Sequence, residues 1–389
     1  MTNDTRIAIV GAGLGGLAAA AALHRRGFNV QVYEQAGAFA RVGAGIQMSA
    51  NAMRVLRGIG IADRVRRGAF QPAYWRNRDW DSGNMRFELS LGAAAEKRYG
   101  APYLLMHRAD LHQVLIEAVP GDKLHLRKRL TDIDRTGAGV TLKFEDGSAA
   151  ETDIVIGADG VHSRVRTLML GPQEPNISGR VAYRAVFASS LLGKIAIDDC
   201  TKWWGPDRHI VIYFTKRDRS ELYFVTSVPE PEWCTESWSA KGDLGQLRKA
   251  FEGFHPHVQA VLHACPDVHK WALLERDPLP AWSQGGVVLL GDACHPMTPY
   301  MAQGAAVSME DAAVLTRCLE EAGRDVDGAL KRYEQARKDR TSRVQLSSHQ
   351  NEWLKDKTDP DWVYDYDAWS VPLPQRAFAR RREANDLRS

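Results

Sequence analysis

The chain has 389 residues, more than one hydrophobic core usually serves, so two packed domains are expected. Its 51 lysines and arginines nearly balance 48 aspartates and glutamates, and a formal charge of +3 argues against a nucleic-acid or membrane partner. The cysteines (Cys200, Cys234, Cys265, Cys294 and Cys318) are odd in number and form no CxxC pair, which argues against a disulfide framework or a metal site and for a reducing compartment. The chain opens on polar residues. The alanine-rich stretch 17–23 ends at His24, Arg25 and Arg26, too short to span a bilayer, so a cytoplasmic protein is expected.

In chain order, Ile7–Val10 reads as a strand, Gly11–Gly16 as a turn, Leu17–Arg26 as a helix stopped by Gly27, and Val30–Tyr33 as a second strand, a βαβ opening. Asp110 reads as the N-cap of a helix from Leu111 to about Val119. Residues 123–157 read as short strands with turns at Thr136-Gly137 and Asp146-Gly147. Val181–Phe187, His209–Phe214 and Glu221–Val228 carry an antiparallel-sheet pattern without crossover helices. A buried strand returns at Val287–Leu290, followed by helical stretches Gln303–Glu321 and roughly Val326–Ser347. The basic tail after Pro374, with Arg376, Arg380, Arg381 and Arg382, reads as a solvated terminus.

The glycine motif Gly11-Ala-Gly13-Leu-Gly-Gly16 carries the first chemistry. Gly11 permits the tight turn, Gly13 lets backbone approach a pyrophosphate, and Gly16 lets helix and strand pack closely. The helix N-terminus presents free N–H groups to the phosphates. Glu34 closes the second strand, 18 residues past Gly16, near the spacing of an acid that binds a ribose hydroxyl. At this point NAD and FAD are both open. Two further motifs, Gly157-Ala-Asp159-Gly160 and Gly291-Asp292-Ala-Cys-His295-Pro296, each place an aspartate in a glycine turn just after an apolar strand. That is where an open α/β sheet holds ligand-binding groups.

With these three motifs in this order the chain resembles the group A flavoprotein monooxygenases along essentially its whole length. The resemblance implies an α/β fold: a discontinuous Rossmann-like FAD-binding domain (GR2-type; 1–73, 99–178 and 269–340), an inserted β-sheet substrate domain (74–98 and 179–268), and a C-terminal helical segment and tail (341–389). It implies that the glycine loop and Glu34 bind the ADP half of FAD, that Asp159-Gly160 supports FAD and the reduced nicotinamide, that Asp292 holds the ribityl chain, and that Arg108 lies near the phosphates and ribityl. Pro299–Ala305 opens a helix. Its N–H groups at Gly304 and Ala305 would face the pyrimidine edge of the flavin, where the positive helix end favours the reduced, anionic ring. The implied co-substrates are NADH or NADPH and dioxygen.

Within the family, the segment from Cys200 to Tyr213, with Tyr223–Pro229, Gly43–Ile46 and Asp361–Tyr366, resembles the decarboxylating hydroxylases of 6-hydroxynicotinate. Alternation puts His209, Val211 and Tyr213 on one strand face. The resemblance implies that His209 and Tyr213 assist ionisation of the ring hydroxyl while Gln47 and Tyr300 hold the other end of the ring. It also places Cys200 near the site, but not as a nucleophile. Gln47 and Tyr300 are departures, since histidines stand there in those hydroxylases. The expected reaction is decarboxylative hydroxylation of a para-hydroxylated aromatic or pyridine carboxylate, foremost 6-hydroxynicotinate to 2,5-dihydroxypyridine. A ring hydroxylase for a 4-hydroxybenzoate- or salicylate-like acid that keeps its carboxylate, and a flavoprotein without oxygenase activity, are the alternatives.

Overall fold

A computed structural model describes residues 5–41, 43–136, 139–233, 240–323 and 325–375. Gly137 of the expected turn, Cys234 and the tail arginines lie outside the described residues. The molecule is α/β, organised around two large sheets. The first has six strands in the order Ser283–Gln284, Val287–Leu289, Ile154–Gly157, Arg6–Val10, Asn29–Tyr33 and Leu124–His125. All neighbours pair in parallel except the edge strand Ser283–Gln284. Parallel strands need crossovers, and the first is the helix Leu14–Arg25. Its residues Leu17–Leu23 are buried, as expected of a helix that is apolar all round. It packs on the long helix Gly304–Glu320, which packs in turn on Val326–His349.

The second sheet has seven strands in the order His269–Glu275, Asn176–Ala188, Glu221–Pro229, His209–Phe214, Cys200–Trp204, Tyr74–Asp79 and Met85–Ser90. It is antiparallel apart from the pairing of Cys200–Trp204 with Tyr74–Asp79. Three expected unit boundaries need moving. Position 178/179 cuts the strand Asn176–Ala188, and the strand His269–Glu275, expected in the cofactor unit, is hydrogen-bonded into this sheet instead. The boundary at 340/341 likewise falls inside the helix Val326–His349. A three-stranded sheet (Leu130–Thr136, Gly139–Phe144, Ala149–Thr152) and the strand pair Gly45–Met48 with Leu104–His107 complete the framework.

The expected helix at Leu111 begins earlier, as Arg108–Ile116, and its cap is not Asp110. The His107 ring nitrogen accepts from the Ala109 N–H at 3.1 Å, while Asp110 turns outward to Arg41 and Lys216. Asp110 sits instead in the first turn of the helix, where its carboxylate is drawn to the two cations rather than to a backbone N–H. No described helix is long and apolar enough to cross a membrane.

Candidate active site

The glycine loop is shaped by contacts that exclude a side chain. Gly11 has φ +104°, and a Cβ there would lie 2.4 Å from the Ala158 carbonyl oxygen. A Cβ on Gly16 would lie 2.1 Å from the Gly11 carbonyl oxygen. Gly13 differs: an added Cβ meets nothing within 4 Å, so its surface is open to a ligand. Gly13 is also the N-cap of the first helix and provides no side-chain cap, which leaves the first N–H groups for an anion. Glu34 ties the loop to the second strand, since its two carboxylate oxygens accept from Ala12 and Ala36 N–H, each at 2.8 Å. A carboxylate has about four acceptor positions, so capacity for a ribose hydroxyl remains.

The two aspartate turns behave differently. Asp159 folds back on its own loop, accepting from the Ser163 hydroxyl at 2.5 Å, Arg164 N–H at 2.7 Å and Val165 N–H at 3.0 Å. It therefore fixes the turn that holds Gly160 at φ +81° and opens the helix Arg164–Leu170. Asp292 makes no described hydrogen bond to protein and is exposed to a ligand, while desolvation by the surrounding protein raises its pKa. Arg108 pulls that pKa back down, and Asp292 in turn supports the guanidinium against its own burial. The structure thus brings Arg108 and Asp292 together, with Gly304 beside the carboxylate.

Gly304 begins its helix after Ala302, which is held at φ +54°, and Gln303 provides no side-chain cap. The Gln303 side chain is instead locked, donating to the Ser49 hydroxyl at 2.9 Å and accepting from Asn51 at 3.0 Å. Asn51 donates onward to Glu310 at 2.6 Å, and Glu310 and Asp311 are held by Arg337 at 2.7 and 2.8 Å. His295 meets Asp311 at 2.5 Å. This buried charge network anchors the uncapped helix start, and of its members only His295 and Gln303 stood in a motif. Buried acids on a helix are found in sequence only as charges interrupting an apolar face.

The candidate substrate face of the seven-stranded sheet is built from side chains. His209, Val211 and Tyr213 stand opposite Trp204, Lys202 and Cys200 on one side and Ser227, Val225 and Tyr223 on the other. His209 lies edge-on to Tyr300, ring centres 5.4 Å apart, and the Tyr300 hydroxyl meets Ser227 at 2.9 Å. Arg180 donates to the same Ser227 hydroxyl at 2.7 Å. At the far end Gln47 accepts from the Tyr103 hydroxyl and pulls down the Tyr213 pKa, which burial otherwise holds well above the ordinary tyrosine value. Tyr213 and Tyr223 close on Gly45, where a Cβ would lie 2.5 Å from each.

The expected pairing of these four residues is therefore redrawn. His209 groups with Tyr300, and Tyr213 groups with Gln47. Four residue steps of strand separate His209 from Tyr213, about 13 Å of backbone, which suits opposite ends of a ring better than one substituent. The His209 end carries positive charge: burial, Lys202 and Arg180 all lower the imidazole pKa, so the ring is neutral. Cys200 is fully buried with its thiol pKa raised. Sequence reading missed Arg180, Ser227, Tyr103 and Lys202. Ser227 and Lys202 were traceable only through cross-strand register, and Tyr103 gave no signal.

A family model described as an FAD binding domain matches residues 4–348. The 6-hydroxynicotinate 3-monooxygenase of Bordetella bronchiseptica is 50% identical over 96% of this chain and 98% of that protein. The enzyme of the same name from Pseudomonas fluorescens is 48% identical, also over 96% and 98%. The crystal structure of Klebsiella pneumoniae HpxO complexed with FAD and uric acid superposes with a TM-score of 0.81 at 28% identity, covering 93% of this chain and 91% of that one. The chain belongs to this FAD-binding family, among the group A aromatic hydroxylases, and is an FAD-dependent monooxygenase.

Proposed function

We propose that the protein hydroxylates 6-hydroxynicotinate with loss of carbon dioxide, giving 2,5-dihydroxypyridine at the expense of NADH and dioxygen. The observation that carries this reading is the split substrate face: two polar clusters, one positively charged and one neutral, spaced for the two ends of a para-substituted ring. The two relatives named for that reaction, at half identity over nearly their whole length, support the same substrate class.

FAD fits the cofactor groove. The open surface at Gly13 and the uncapped helix start suit its pyrophosphate, with Gly11 and Gly16 setting the loop, Glu34 its ribose and Asp292 with Arg108 its ribityl chain. Asp159 and Gly160 shape the adjoining loop, and the N–H groups at Gly304 and Ala305 would face the anionic edge of the flavin ring. When bound, FAD passes electrons from the nicotinamide to dioxygen and so supplies the oxygen of the new hydroxyl.

The protein's own part is orientation. The neutral His209 imidazole, the Tyr300 hydroxyl and the nearby cations suit the carboxylate. Tyr213 stays protonated and, with Gln47, hydrogen-bonds the ring oxygen as it gains negative charge. Charge on that oxygen feeds electron density to the para carbon bearing the carboxylate. The new carbon–oxygen bond forms there, and cleavage of the carbon–carbon bond to the carboxylate releases carbon dioxide and returns the bonding electron pair to the ring, which restores its aromaticity. In the test, the purified holoenzyme is given a panel of hydroxylated aromatic acids, and NADH consumption and products are followed. 6-Hydroxynicotinate should stimulate NADH oxidation and yield 2,5-dihydroxypyridine. Stimulation only by acids that keep their carboxylate would reject the decarboxylating reading.

A further inference from the structure

Lys202 lies in the middle of the strand Cys200–Trp204 and is 1% exposed, one of the largest fully buried side chains of the molecule. Lysine is almost never fully buried unless paired. Yet among the described residues no carboxylate lies within ion-pair distance of its ammonium, which sits over the Trp204 ring, 3.7 Å from Nζ to the centroid. A ring face repays only part of the cost of taking an ammonium out of water. Lys202 also stands directly across from Val211, between the levels of His209 and Tyr213, on the face read above as the substrate site. Its site is built for an anion that the protein itself does not supply.

We propose that the Lys202 ammonium is the charge partner of the aromatic acid's carboxylate, so that this residue selects acids over their neutral amides. The inference rests on the substrate face proposed above and names its charge determinant. Around Lys202 stand Cys200, Tyr213 and His209 on the same face, Asn77 from the strand alongside, and Lys355 from the segment after the long helix; Arg180 acts on His209 from the other side. None of these is an acid. His209 is neutral, so the nearby cations are Lys202, Lys355 and Arg180. Asn351, at φ +53° after the long helix, reaches His209 Nδ1 at 3.4 Å and helps close this end.

Burial, and then the Lys355 charge, hold the Lys202 pKa well below the ordinary lysine value. The sign follows: the ammonium is present at low pH and is lost as pH rises through that depressed value, and affinity for a carboxylate should fall with it. A carboxamide ligand should show no such limb.

The test uses the FAD-loaded enzyme and titrates 6-hydroxynicotinate and 6-hydroxynicotinamide by perturbation of the flavin absorption spectrum. Lys202→Met should weaken the acid about 10- to 100-fold and change the amide less than about threefold. Lys202→Arg should recover part of the lost acid affinity. Wild-type affinity for the acid should decline at alkaline pH below the ordinary lysine range, and the Met variant should lack that decline. Unchanged acid affinity in Lys202→Met, or equal losses for acid and amide, would overturn the proposal. If the variant does not fold, a wild-type acid affinity that stays flat into the ordinary lysine range overturns it. If 6-hydroxynicotinate does not bind but another aromatic acid does, the substrate reading fails alone and the same acid–amide comparison on that ligand decides Lys202. No response to any aromatic acid would overturn both.

Discussion

The candidate cofactor groove and the candidate substrate face are built by different means. The groove is mostly backbone: a loop held shut by missing side chains at Gly11 and Gly16, two helix starts left uncapped, and acids in turns after strands. The candidate substrate face is almost all side chain, gathered from several strands and a helical turn as far apart in the chain as Gln47 and Tyr300. A site made of backbone constrains its sequence to short fixed spacings, while a site made of side chains constrains only which face each residue occupies. The first should fail all at once when one atom is added, and the second should fail by degrees.

The sharpest break of that comparison lies within the glycine loop itself. Gly11→Ala should prevent formation of the loop, because its Cβ collides with the Ala158 carbonyl and its φ is positive. The expected cost is on the order of 4 kcal/mol or more, read as loss of the folded, flavin-loaded fraction in thermal melts. Gly13→Ala meets open space in the protein, so the apoprotein should melt as the wild type does while FAD retention falls. If both variants melt alike, the loop is not shaped in the way described.

The next effect is smaller and confined to the cofactor. Asp292→Ala removes an exposed carboxylate with no described protein hydrogen bond, so the fold should hold. FAD should bind more weakly by about 1.5–3 kcal/mol, the worth of a hydrogen bond to a charged group, measured by flavin fluorescence on dilution. Unchanged retention would remove Asp292 from the groove. On the substrate face, His209→Ala should leave FAD content alone and slow hydroxylation more than hydride transfer from nicotinamide, as rapid-mixing of the two half-reactions would show. Equal slowing of both would place His209 outside the ring-binding face.

This contrast also explains what could be read in advance. The three glycine-and-acid motifs, the strands they follow and the α/β architecture all rest on local spacing, and those were legible. The cap of the helix at Arg108 was not, because Asp110 is a good capping residue that two cations outcompete. The strand His269–Glu275 read as belonging to the wrong unit, since edge pairing with Asn176–Ala188 leaves no local mark. The grouping of His209 with Tyr300, and the buried Lys202, depend on long-range register. The smallest predicted effect checks one of these corrections. Asp110→Ala should cost no more than about 1 kcal/mol, the worth of partly exposed ion pairs; a larger loss in thermal stability would restore Asp110 as a structural cap.

In the proposed reaction the carboxylate-bearing carbon of 6-hydroxynicotinate receives the oxygen. Turnover of substrate labelled with carbon-13 in the carboxylate tests it most directly, with labelled carbon dioxide and NADH oxidation followed together. One labelled carbon dioxide should be released for each 2,5-dihydroxypyridine formed. A hydroxylated product that retains the labelled carboxylate, or NADH oxidation that releases no label, would contradict it.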